Sequence, residues 1–132
     1  MTLMNSGRDA LHAQFLSTAA QPAAFNYGAL SANTGGAFAT TDTTLAGEIV
    51  TVGGGLIRKQ MTYAHTAGTN TSTLTGTWTA NGTDSLPVVL ASWAQFNALT
   101  AGTGAEELAL SATATITVSG DSETTTFTLT AG

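Results

Sequence analysis

Apolar and polar residues alternate with a period of two over much of the chain, most clearly between Gly55 and Ala80. Met61, Tyr63 and His65 fall on one face there, and Gln60, Thr62 and Ala64 on the other. After the Gly68-Thr69-Asn70 punctuation, Leu74, Gly76 and Trp78 alternate with Thr73, Thr75, Thr77 and Thr79. Successive side chains of a strand point to opposite faces, so the pattern predicts an antiparallel hairpin with one face toward a core. The other face, all threonine, meets water or a neighbour. The same period predicts strands at Ala24–Leu30, with Phe25 and Tyr27 on one face, and at Leu45–Val52, around Glu48-Ile49-Val50-Thr51-Val52. It also predicts Glu107–Val118, with Ala112, Ala114, Ile116 and Val118 together, and Thr124–Thr130, with Phe127 and Leu129 among threonines. Leu86–Phe96 is instead a continuous apolar run through Val88, Val89, Leu90, Trp93 and Phe96, which suits a central strand with Pro87 near its start.

Turn residues separate these runs. Gly53-Gly54-Gly55 leads into the hairpin, and Asn81-Gly82 carries the strongest two-residue hairpin signal, since both residues tolerate positive φ. Asn97–Gly104 and Ser119-Gly120-Asp121 are further turns, and Ser31–Thr44, with Asn33-Thr34-Gly35-Gly36, is the longest irregular stretch. Only one segment has helical spacing. Ser6 can cap the amide of Asp9, Leu11 and Phe15 sit at i and i+4 with Leu16 beside them, and Gln21-Pro22 ends the run. A helix of about three turns is marginal alone and has to pack its apolar face on the sheet. The expected fold is therefore all-β: an antiparallel β-sandwich or flattened barrel of about 7–8 short strands with one short N-terminal helix. It forms one domain over residues 1–132, with 1–20 as an N-terminal arm and helix.

Composition sharpens this picture. Roughly a fifth of the 132 residues are threonine, which suits pleated surfaces. Charged residues make up 8%, against about 25% in ordinary domains, while the apolar share of 42% is normal. Such a chain is either a monomer coated in neutral hydroxyls or a protein that lives against a partner, because surfaces depleted of charge characterise interface cores. The net charge is −5, and Arg8, Arg58 and Lys59 are the only cations. That disfavours nucleic-acid binding and a polybasic membrane contact. Without cysteine there is no disulfide framework and no thiolate metal site. No basic, apolar leader opens the chain and no apolar run reaches the ~20 residues of a membrane span, so a soluble protein made in the cytoplasm is expected.

Candidate chemistry is thin. His12 and His65 are the only imidazoles, and neither carries a triad pattern. Gly53-Gly54-Gly55-Leu56-Ile57-Arg58-Lys59 lacks the Gly-Lys-Ser/Thr ending of a phosphate loop and runs into a strand, so it reads as a turn. Arg58 and Lys59 point to opposite faces, and each is expected to pair with a carboxylate of this or another chain. The carboxylates Asp42, Glu48, Asp84, Glu106, Glu107, Asp121 and Glu123 are scattered, with no calcium-loop spacing. Trp78 and Trp93 sit in alternating apolar patterns and are expected in the core. No catalytic residue, metal ligand or cofactor is expected.

Several segments resemble a family of small virion structural proteins of tailed bacteriophages. They are Asn5-Ser6-Gly7-Arg8-Asp9, Asp42-Thr43-Thr44-Leu45-Ala46-Gly47-Glu48, Gly54-Gly55-Leu56-Ile57-Arg58, Thr62-Tyr63-Ala64-His65-Thr66-Ala67-Gly68, and Phe96-Asn97-Ala98 with Gly102-Thr103 before a Thr-rich final strand. They occur in the family's order along nearly the whole chain. The resemblance implies a non-enzymatic capsid decoration (cement) protein on the outside of a phage head, a trimer at threefold positions whose partner is the major capsid protein. The tail-associated or fibre-associated alternative, including a receptor-binding module, stays open. Flexible polar backbone can lie along a partner, so Met1–Gly7 and Ser31–Thr44 are the candidate contact segments. The candidate contact residues are Leu3, Met4, Asn5, Arg8, Asn33, Phe38, Arg58 and Lys59.

Overall fold

The computed structural model describes residues 2–3, 24–33, 45–69, 71–100 and 107–131. The expected helix and most of the Ser31–Thr44 loop lie outside them. Among the described residues eight strands are formed: β1 (Thr2–Leu3), β2 (Tyr27–Ser31), β3 (Lys59–Gln60), β4 (Thr62–His65), β5 (Ser72–Thr79), β6 (Val88–Phe96), β7 (Glu107–Val118) and β8 (Thr124–Ala131). They make two antiparallel sheets, a five-stranded one in the order β1-β7-β6-β2-β3 and a three-stranded one in the order β4-β5-β8.

The continuous apolar run over Leu86–Phe96 becomes β6, flanked by β2 and β7. Every residue from Leu90 to Phe96 is buried, so both faces of this strand are covered. One face contributes Leu90 and Trp93 to a core shared with Leu30, Leu56, Met61, Trp78, Ala80 and Val118. Phe127 and Leu129 of β8 pack against the same cluster, which ties the two sheets together. Trp93 stacks on Phe127 at 5.7 Å between ring centroids, and Trp78 meets Phe127 edge-on at 6.1 Å. Both tryptophans are core residues, as the alternation predicts. The other face of the large sheet holds a second cluster of Ala29, Leu45, Ala94 and Phe96.

The predicted hairpin is present as β4 and β5, in register from Thr62 opposite Thr75 to His65 opposite Ser72. Gly76 on its inner face is a space for an aromatic ring, since a Cβ there would lie 2.3 Å from the Trp78 Cη2 atom. On the outer face the threonines pair across β5 and β8. Thr75–Thr128, Thr77–Thr126 and Thr79–Thr124 hydroxyls lie 3.0–3.2 Å apart.

Three expectations are corrected. Leu45–Val52 is not a strand: only Glu48 forms a bridge, to Ser31, and Val50 and Val52 are exposed, with no strand paired to them among the described residues. Met61, Tyr63 and His65 do not share one buried face. The chain changes sheets at Met61, between β3 in one sheet and β4 in the other, so Met61 is buried while Tyr63 and His65 are exposed. Asn81-Gly82 does not close a hairpin, because β5 and β6 belong to different sheets. Asn81 instead opens an Asx turn, its side-chain oxygen accepting from the Thr83 amide at 2.9 Å.

Candidate functional site

The segment 45–58 carries a buried ion pair whose two members are both on it. The Arg58 guanidinium donates Nε to Glu48 Oε1 at 2.9 Å and Nη2 to Glu48 Oε2 at 2.6 Å, a two-pronged ion pair. Nη1 donates to the Ala98 carbonyl at 3.1 Å, and the guanidinium carbon sits 3.7 Å from the centre of the Phe96 ring. Both side chains are buried, at 4% and 7% exposure. Burying two charges is tolerable only when each is satisfied in this way. The pair locks the 48–58 segment to the end of β6.

Around this pair the surface is apolar. Glu48, Ile49, Val50, Val52, Ile57, Arg58 and Leu99 line a hollow of about 470 Å³. Its rim is exposed: Val50 is 61%, Val52 91% and Leu99 55% accessible. A second hollow of about 320 Å³ lies on the other side of residues 48–51, against Leu56, Asp84 and Val88. The Gly53–Gly55 run is a tight backbone crossing. A Cβ on Gly55 would lie 1.7 Å from the Thr79 carbonyl oxygen. The buried Asp84 carboxylate accepts from the amides of Gly55 and Asn81, both at 2.9 Å. The amides that sequence weighed as a phosphate cradle are thus engaged by the chain's own carboxylate.

The expected contact residues separate. Met4, Asn5, Arg8 and Phe38 lie outside the described residues. Leu3 is in β1, its backbone opposite Ala109 of β7. The Asn33 amide donates to Ser31 Oγ at 2.9 Å beneath the bridge to Glu48. Arg58 is buried against Glu48 and Phe96, so its expected carboxylate partner is one of this chain. Lys59 leaves on the opposite side, its amine donating to the Thr77 carbonyl and standing 5.9 Å from the Trp78 ring. The exposed Val50, Val52 and Leu99 were not picked out from sequence, because a Val-Thr-Val alternation reads the same whether its valines are covered or bare.

His65 is exposed, with Nδ1 2.9 Å from the Thr71 carbonyl oxygen. Among the described residues, no group of three or more His, Asp or Glu is placed to hold a metal ion. Comparison with protein families, curated proteins and solved structures finds no match to this chain.

Proposed function

We propose that this chain is a non-enzymatic virion structural protein, a capsid decoration protein that binds the outside of a phage head and bridges major capsid subunits. The observation that carries the reading is the bare apolar rim of Val50, Val52 and Leu99 over a floor fixed by the Arg58–Glu48 pair. Exposed apolar surface at a rigid place is what a permanent partner covers. The likeness to phage virion proteins and the sparse charge support the same reading. On it, the two sheets form a β-sandwich that serves as a stiff body, trimers sit at threefold positions, and many copies add weak contacts into a strong total.

Co-sedimentation of the purified chain with emptied phage heads tests this. Wild type is expected to pellet with heads, and Val52→Asp, on a fully exposed side chain, is expected to weaken binding at least about tenfold while leaving the fold intact. Gold labelling of whole particles separates head from tail, the tail-associated protein being the other outcome. A chain that attaches to neither contradicts the proposal.

A further inference from the structure

The three-stranded sheet ends in an edge that nothing among the described residues covers: β8 pairs with β5 on one side only. Exposed edges are normally blunted by lysine, proline, bulges or shortness. The edges of the large sheet follow that rule, since β1 and β3 are only two residues each. β8 does not. It runs eight residues with no charge and no proline, Thr-Thr-Thr-Phe-Thr-Leu-Thr-Ala, in unbroken register with β5 from Thr79↔Thr124 to Ser72↔Ala131.

The hydrogen bonding tells which groups face outward. Ala80 N–H donates to the Glu123 carbonyl at 2.8 Å, so position 123 bonds toward β5. By the alternation of an antiparallel ladder, Thr125, Phe127 and Leu129 bond inward, and Thr124, Thr126, Thr128 and Thr130 present N–H and C=O to the open side. The hydroxyl pairs at Thr79–Thr124, Thr77–Thr126 and Thr75–Thr128 fall at the close, non-bonded positions, as this assignment requires.

We infer that a second copy of this chain pairs antiparallel along β8, joining the two small sheets into one of six strands. Thr alternates along the edge, so any in-phase register sets Thr against Thr on the outer face, and one of them also sets Phe127 against Phe127. With Phe127 on the two-fold axis, Thr126 faces Thr128 of the other copy, Thr124 faces Thr130, and Thr125 faces Leu129. Every outward pair is then Thr–Thr, continuing the hydroxyl ladder already made with β5, and the central inward pair is Phe–Phe on the side of the core. Two chains of net charge −5 can approach here because no ionised side chain lies on the strand. An unrelated extended peptide would gain the backbone bonds without this side-chain match. The inference holds whether or not the chain rides on a virion, and a two-fold contact also leaves a separate threefold one possible.

Light scattering across a concentration series tests it. The wild-type mass is expected to rise to an even multiple of the 13.2 kDa chain. Thr126→Pro removes an outward N–H that β5 does not use, one from each copy, and is expected to weaken the association roughly ten- to hundredfold and halve the mass. Thr128→Lys puts like charges beside the axis and is expected to do the same; it serves if the proline variant does not fold. Far-ultraviolet circular dichroism should stay near wild type for both, and their urea midpoints near that of wild type diluted until it is monomeric. A wild-type chain that stays monomeric, an odd-numbered oligomer, or an even one indifferent to folded Thr126→Pro or Thr128→Lys overturns the inference.

Discussion

Arg58 is one of three cations in the chain, and it is spent inside the molecule. Removing either member of a buried pair strands the other charge, which costs about 3–5 kcal/mol. Glu48→Ala or Arg58→Ala is therefore expected to lower stability by about that amount, a large part of what a domain this size has. The joint change Glu48→Leu with Arg58→Met should recover most of the loss, since an apolar pair has no desolvation to offset. Urea unfolding checks both; equal damage from the single and joint changes would show that the charges themselves are needed. Ser122 gives a prediction of the opposite sign. It sits at φ 68° where the chain enters β8, its amide bonded to the Ala80 carbonyl, in the position of a bulge that glycine prefers. Ser122→Gly is expected to raise stability by up to about 1 kcal/mol, read as a higher melting temperature.

At the scale of the element, the two faces of β5 carry different weights. Inward, Gly76 gives its space to Trp78, whose indole N–H donates to the Ile57 carbonyl at 2.9 Å. Gly76→Ala pushes a methyl group into that ring and is expected to cost about 1–3 kcal/mol, with a changed tryptophan emission spectrum. Outward, Thr77→Val loses one exposed hydroxyl pair and should stay within about 0.5 kcal/mol of wild type. Thermal melts of the two variants rank the faces; comparable losses would mean that the threonine ladder, and not the tryptophan slot, holds the hairpin to β8. The alternation Leu74-Gly76-Trp78 made the buried face legible. It did not reveal the slot, because the ring's path over Gly76 depends on where Met61 and β8 lie.

At the scale of the molecule, three charged side chains are drawn inward while some apolar surface is left outside. Arg58, Glu48 and Asp84 are taken up by the chain itself, while Val50, Val52 and Leu99 stand exposed. Association through such surface owes little to ionic attraction. On the proposed function, binding of the chain to emptied heads is expected to change less than about threefold between about 0.05 and 0.5 M salt. A steep salt dependence, measured by the same co-sedimentation, would point to contacts made elsewhere.

The spacing of apolar positions alone, alternating in most strands and continuous over Leu86–Phe96, determined that the chain is β-rich, that β6 is central, that the bounds of β7 are Glu107–Val118, and that both tryptophans lie in the core. These follow from local geometry, since burial on one face of a strand or on both is written in adjacent residues. Which sheet each strand joins was decided only in three dimensions. Asn81-Gly82 turns a corner between sheets where its dipeptide reads as a hairpin, because Asp84 ties that corner to the Gly53–Gly55 crossing 29 residues away. Arg58 became an internal brace, and Val50 and Val52 came to face solvent, for the same physical reason. A side chain's partner is fixed by segments far apart in sequence, and no local pattern records the distance between them.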